Sequence, residues 1–278
     1  MKFKHAKPLA LAAAAVAISA AGGAEAAVSP EKQISFLAEQ AAVWGTDAFY
    51  RDWLQDDGWC AITDLDGNKR LELFFVRAVR NPVPGMNDKG NNEEKGRALV
   101  ATVPITMRVR GFEVSADGKK LEELKFNFPD KIIPPNLTVL RESFYNAGDK
   151  TRFYHTYTLN RVRDLGFCLY RQVISLKNGT VEVQTIGTEY GNYGLFMEAP
   201  TAEAIFDYAE DRHGKKMQEK ELSDYVKAYS AGASPADFNM RWIYSELWKK
   251  AQSTPGGVRK AFSENWKEFR WQLKKDAK

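Results

Sequence analysis

Ser175-Leu176-Lys177-Asn178-Gly179-Thr180-Val181-Glu182-Val183 is the stretch on which the fold turns. Two β-rich runs, Phe167–Lys177 and Thr180–Ile186, meet at Asn178-Gly179. That dipeptide accepts positive φ at both central positions of a two-residue turn, so it is the strongest short-range hairpin signal. Upstream, Thr151–Arg161 alternates around Phe153, His155, Tyr157 and Leu159, the period of a half-buried strand. An Asp117-Gly118 turn leads into Leu121–Phe128. Ala98–Val114 contains Pro104, which predicts an edge position or a bulge. Trp59–Thr63 and Leu71–Val79 are two further β-rich runs, and the polar Asn81–Gly96 reads as loop. The middle of the chain therefore predicts an antiparallel meander.

Helical periodicity flanks it. Pro30–Gln55 predicts helix, with Ser29 as N-cap, Pro30 at the first helical position and Glu31 in the first turn. Ile34, Leu37, Ala41 and Trp44 form its apolar face, and Gly45 is placed to break it, leaving Thr46–Leu54 as a second short helix. From Pro200 the pattern predicts helices over Ala202–Ala209 and Glu219–Ala231, and a third from Ser234-Pro235 carrying Met240, Ile243, Leu247 and Ala251. After a break at Pro255-Gly256-Gly257, a last helix carries Phe262, Trp266, Phe269 and Leu273. The expected class is α+β: an N-terminal helix, an antiparallel β-sheet built of hairpins, and C-terminal helices. The expected units are 27–199, helix plus sheet, and 200–278, a helical region that covers the sheet or stands apart from it.

The first 26 residues read as a signal peptide. Met1-Lys2-Phe3-Lys4-His5-Ala6-Lys7 is a basic head, Leu9–Ala21 a short apolar run, and Ala24-Glu25-Ala26 an A-x-A exit. The run is shorter than the ~20 apolar residues that span a bilayer, so export rather than anchoring is expected, to the periplasm or the exterior. No later segment is apolar enough to span. Loss of Lys2, Lys4, Lys7 and Glu25 would lower the formal charge from +4 to +2, which gives no argument for nucleic acid as a partner. In an oxidising compartment the two cysteines, Cys60 and Cys168, predict one disulfide, worth about 4–5 kcal/mol in the chain-entropy model. The alternative is a pair of buried free thiols.

One loop carries recognisable chemistry. Asp64-Leu65-Asp66-Gly67-Asn68-Lys69-Arg70-Leu71-Glu72 places side-chain oxygens at its first, third, fifth and ninth positions, and Arg70 offers a backbone carbonyl at the seventh. Ca²⁺ takes six to eight oxygens at about 2.4 Å. Asp64, Asp66, Asn68, the Arg70 carbonyl and Glu72 would supply five of them, with water completing the shell. The loop is not an EF-hand: Lys69 stands where the invariant Gly belongs, and Phe75 where the bidentate Glu belongs. With Lys69 and Arg70 adjacent, the expected affinity is no tighter than about 0.1–1 mM. The competing reading is a metal-free hairpin whose Asp and Asn side chains bond their own backbone.

The run from Cys60-Ala61-Ile62-Thr63 through that loop to Leu73, preceded by Trp53-Leu54, resembles uncharacterised secreted proteins of anaerobic gut bacteria that carry a TDLDxNGRLEL-like hairpin. Lys69 stands where that pattern usually has Gly. Arg110-Gly111-Phe112-Glu113-Val114, Asp149–Tyr170 and Ser175–Gly179 fit more loosely. The loop is also similar to the calcium loops of FG-GAP and VCBS-type repeats, in a single copy. The resemblance implies secretion and no particular activity.

Enzyme signatures are sparse: HExxH, GxSxG, P-loop and CxxC motifs are all missing. Beyond the signal only His155 and His213 remain, too few for an ordinary catalytic zinc site. His155 reads as a strand histidine, and a Cys60–His155 dyad is the less economical reading of both. The Phe262, Trp266, Phe269 stripe reads as core; Trp271 falls off it beside Arg270, where an exposed ring would suit a sugar or a partner. The basic tail from Lys267 reads as a solvated face. The leading expectation is an exported, non-enzymatic binding or interaction protein with a structural calcium loop and an envelope or extracellular partner. The alternative is a cell-envelope hydrolase acting through paired carboxylates, which requires two of them facing each other across a cleft.

Overall fold

The structure, a computed structural model, describes residues 28–41, 44, 48–55, 58–80, 105–127, 137–140, 142–161, 166–193 and 204–274. The expected signal peptide 1–26, the Asn81–Gly96 loop and Pro104 lie outside the described residues. Within them the fold is α+β.

Among the described residues, five strands make the first sheet. β1 (Gly58–Thr63) pairs antiparallel with β2 (Glu72–Arg80), placing Thr63 opposite Glu72. β2 continues against β3 (Ile105–Val114), placing Glu72 opposite Glu113, and β3 against the short β4 (Leu121–Glu123). A two-residue strand, β13 (Ile243–Tyr244), closes part of β1's outer edge.

The second sheet is larger. β6 (Glu142–Asn146), β7 (Thr151–Arg161), β8 (Gly166–Lys177), β9 (Thr180–Tyr193), β10 (Ala204–Asp211) and β11 (Lys216–Met217) pair in succession, all antiparallel. β12 (Ser234–Asn239) adds to β6, and β14 (Arg270–Leu273) to β12. β5 (Lys125–Asn127) runs parallel to the start of β9. Asn178 and Gly179 take φ of 50° and 71°, and Lys177 faces Thr180 across them. This is the primed turn whose twist matches that of the flanking strands.

Alternation along β1 and β2 explains why the sheets stack. Cys60, Ile62, Leu73 and Phe75 face one core, with Leu37 of α1 (Pro30–Ala41), Trp53 of α2 (Ala48–Gln55), Trp248 of α4 (Ser245–Gln252) and Phe262 of α5 (Gly257–Glu268). Phe74 and Val76 face the other core, with Tyr154, Ile174, Leu176, Val181 and Val183 of the second sheet. Successive side chains of a strand point to opposite faces, so a strand buried on both reads as one continuous apolar run, as Leu73–Val76 does. The remaining helix, α3 (Glu219–Tyr229), lies on the far face of the second sheet, where Leu222 packs against Gly187 with no room for a Cβ. The layers run helices, sheet, sheet, helix.

The region after residue 200 is not the expected set of helices. The helix expected over Ala202–Ala209 is, from Ala204, strand β10: its pairing with β9 buries Ala209 and stacks Tyr208 on Tyr190 at 4.7 Å. The helix expected from Ser234-Pro235 is strand β12, held between β6 and β14, and helix begins only at Ser245. The last helix ends at Glu268; Phe269 turns extended, and Arg270–Leu273 joins the second sheet. The 200–278 region therefore contributes strands to both sheets. The predicted Cys60–Cys168 disulfide is not formed: both cysteines are free and buried, Cys60 in the first sheet and Cys168 in the second.

Candidate metal centre

The loop between β1 and β2 is held from three sides. From α1, Gln33 Nε2 donates to Lys69 O (2.9 Å) and Val28 O (2.7 Å), while its Oε1 accepts from Leu71 N (2.8 Å). From β7, Arg152 donates to Asp64 O (2.9 Å) and the Tyr154 hydroxyl to Leu65 O (2.6 Å). Arg152 is itself stacked on Trp271, 3.9 Å from the ring centroid. The loop is thus pinned to a helix, to its own sheet and to the opposite sheet. Two residues take left-handed backbone, Gly67 (φ 77°) and Lys69 (φ 69°), and a Cβ on Gly67 would also strike the Arg152 guanidinium.

Inside this frame Asp64, Asp66 and Glu72 converge, each offering an oxygen within 4.8 Å of the others. Two oxygens bound to one Ca²⁺ are at most about twice the metal–oxygen distance apart, roughly 4.8 Å, so this spacing suits a common ion. Glu72 is 0% exposed. Its Oε2 accepts from Thr63 Oγ1 (2.7 Å) and Leu65 N (2.9 Å), but its Oε1 is buried without a hydrogen-bond partner. Burial raises the pKa of Glu72 well above the carboxylate range, and the negative charge of Asp66 adds to the effect. Asp66 is pushed up to about 6, by burial first and then by Glu113 and Asp64, against the Asn68 N–H and Arg70. Asp64 is raised by burial, against the pull of Arg152 and three backbone N–H groups. Removal from water is the first cause of all three shifts, and neighbouring carboxylates add to it at Asp66 and Glu72.

The side chains of Asn68 and Arg70, the other two expected contributors, bond the carboxylates around the loop. The Asn68 amide donates to Asp66 Oδ2 (2.8 Å) and Glu113 Oε1 (2.7 Å), and its Oδ1 accepts from Arg70 N (2.7 Å), so it braces the carboxylates with its NH₂ toward them. Arg70 pairs through its guanidinium with Glu113 and, at 3.4 Å, with Glu122. Glu113, Gln33, Arg152 and Tyr154 complete the environment, and sequence reasoning named none of them for it. Glu113 enters only through the β2–β3 register. Gln33 did carry a signal: it is a polar residue four before Leu37 on the buried stripe of α1.

A second constellation sits on the far face of the second sheet. Ser230 Oγ and His155 Nε2 are 2.9 Å apart, with Glu142 Oε2 3.9 Å from Nδ1. This has the outline of a nucleophile, base and acid. However, Ser230 is buried at the end of α3, and Glu142 is beyond hydrogen-bond reach. The N–H groups of Ser230, Ala231 and Ala233 all donate to turn carbonyls and so make no oxyanion hole. Burial lowers the pKa of His155, opposed by Glu142. The pair acts as a tether holding the end of α3 to β7.

Comparison with known proteins matches the chain to no family, no curated protein and no solved structure.

Proposed function

We propose that this is an exported, non-enzymatic binding or interaction protein in which Asp64, Asp66 and Glu72 hold a structural Ca²⁺ that ties its two sheets together. The buried, unpartnered Oε1 of Glu72 carries the metal reading. A buried polar atom without a partner costs roughly 1–3 kcal/mol, more if charged, and a cation beside it removes that cost. Asp64, Asp66, Glu72 and Glu113 also outnumber the two nearby guanidinium groups of Arg70 and Arg152, leaving a net charge that a divalent ion balances. All-oxygen donors select a hard cation, and the absence of His or Cys among them disfavours zinc. Asp64 and Asp66 remain partly exposed, leaving water to complete the shell. Export is supported by the basic head, apolar run and A-x-A exit of residues 1–26. The partner is an envelope or extracellular one rather than nucleic acid, and no described helix is long and apolar enough to cross a membrane.

Thermal unfolding with 10 mM CaCl₂ against EDTA tests the ion. For a dissociation constant of about 0.1–1 mM, mass action gives ~1.4–2.7 kcal/mol, or roughly 3–10 °C in Tm. Asp66→Ala abolishes the shift. Glu72→Gln also abolishes it, yet leaves the metal-free protein at least as stable as the parent, because a neutral amide replaces a buried carboxyl. A parent Tm indifferent to calcium rules the ion out.

A further inference from the structure

A depression of about 660 Å³ lies on the far face of the second sheet beside the end of α3. It contains none of the residues of the β1–β2 loop. Its apolar floor is Phe153 and Val173, on the face of the sheet opposite Tyr154 and Ile174. Phe153 is stacked on Phe144 at 5.3 Å, which holds its ring in place.

Polar side chains rise around this floor, and two pairs of them are already oriented. Asn127 Nδ2 donates to Glu182 Oε2 (2.7 Å), which orients both side chains. Tyr229 donates to Gln184 Oε1 (2.6 Å), which fixes that amide with its Nε2 undirected to any protein acceptor. Asn146 uses its Oδ1 on Gly148 N (3.0 Å), leaving its NH₂. Ser175 and Thr151 add hydroxyls, and Asp149 a second carboxylate. Among the described residues, no Lys, Arg or His lines the depression.

We propose that this depression binds a neutral saccharide. The chemistry selects that class by elimination and by fit. An anion would meet two carboxylates and no cation. An amine cation would satisfy the carboxylates but leave the Gln184 and Asn146 donors unmatched. A sugar hydroxyl donates and accepts at once, so it matches carboxylate acceptors and amide donors placed side by side. The C–H face of a pyranose suits the Phe153 floor, and the volume falls in the range of small-molecule sites. Because Tyr229 and Asn127 hold their partners before any ligand arrives, little side-chain entropy is lost on binding. The inference deepens the binding-protein reading above and does not depend on calcium.

The test is titration of the full mature chain, in calcium and in EDTA, with cellobiose, maltose, lactose, mannobiose and xylobiose, followed by saturation-transfer NMR and calorimetry. At least one disaccharide binds. Gln184→Ala weakens it at least tenfold, and Tyr229→Phe, which only frees Gln184, weakens it several-fold. Both variants keep the parent's melting temperature within about 2 °C, as expected for partly exposed side chains. Binding of none at 10 mM overturns the proposal, as does binding that Gln184→Ala leaves unchanged. Binding of spermidine in place of every disaccharide overturns the ligand class while leaving the binding-protein reading intact. Cleavage of the bound disaccharide supports the ligand class and overturns the non-enzymatic reading.

Discussion

At the scale of single residues, Lys69 shows what the loop demands. Its φ of 69° is a conformation that costs a side chain with a Cβ about 1–2 kcal/mol, yet the residue is exposed and its backbone alone is used. Its N–H donates to Asp64 Oδ1 (3.2 Å) and its carbonyl accepts from Gln33. Lys69→Gly therefore raises stability by a net ~0.5–1 kcal/mol, after allowing for the added freedom of glycine in the unfolded chain. Denaturant titration of the metal-free protein reads this directly, and a variant less stable than the parent contradicts it. The pattern that the loop resembles has Gly at this position, so the departure was visible in the sequence but its meaning was not. Only the backbone shows that this position, four residues after Leu65, must turn left-handed to bring Glu72 back beneath Asp64 and Asp66. The same holds for Asn68. Its place at the fifth loop position suits a ligand, and only the structure shows the three hydrogen bonds by which its amide braces Asp66, Glu113 and the Arg70 backbone.

Elements were legible where their own chemistry decides them, and obscure where a distant partner does. Asn178-Gly179 needs no context: both φ are positive, and β8 meets β9 across it. Ser234–Asn239 and Arg270–Leu273 are short, polar and exposed on alternate sides, so their strand character exists only because β6 offers an edge to β12, and β12 offers one to β14. Trp271, off the helical stripe in the sequence, is for that reason a strand residue: its Nε1 donates to Ser143 Oγ (2.6 Å), and its face carries Arg152. Helix α5 gives a complementary case. β13 covers β1 only at Trp59 and Cys60, so Ile62 N would be left open beyond it. Asn265, 3% exposed on α5, accepts from that N–H through Oδ1 (2.7 Å) and donates through Nδ2 to Arg241 O (2.7 Å). A helix side chain thus completes a sheet edge. Asn265→Leu keeps the volume and removes both bonds, leaving a buried N–H and a carbonyl unpaired, with an expected loss of about 2–4 kcal/mol. Chemical denaturation checks it; a loss below 1 kcal/mol would mean water or a backbone shift replaces both bonds.

Across the whole molecule, the β1–β2 loop is where the two sheets are coupled by charge as well as by packing. Arg152 and Tyr154 reach it from the second sheet, while Thr63, Glu72 and Glu113 belong to the first. Its titration should therefore register as global stability. Asp66 has its pKa raised to about 6 in the folded chain, and Asp64, Glu72 and Glu113 are displaced in the same direction. A carboxyl whose pKa rises on folding binds more protons folded than unfolded. The stability it contributes is complete below the unfolded value, about 3.9 for Asp, and is lost as pH rises through the folded one. In EDTA this cluster therefore weakens the protein between about pH 4 and pH 7. Calcium acts in the opposite sense, since it binds the ionised oxygens and must displace their protons. The gap in Tm between calcium and EDTA is accordingly small near pH 5, widens through Asp66's titration near 6, and is largest at pH 7.5. Asp66→Asn flattens the profile by removing the group that titrates in that interval. Melts at pH 5, 6, 7 and 7.5 decide it: a gap of constant size would mean that any calcium effect arises from exposed carboxylates elsewhere, such as Asp117 or Asp211, whose pKa values are lowered and whose ionisation is already complete at pH 5.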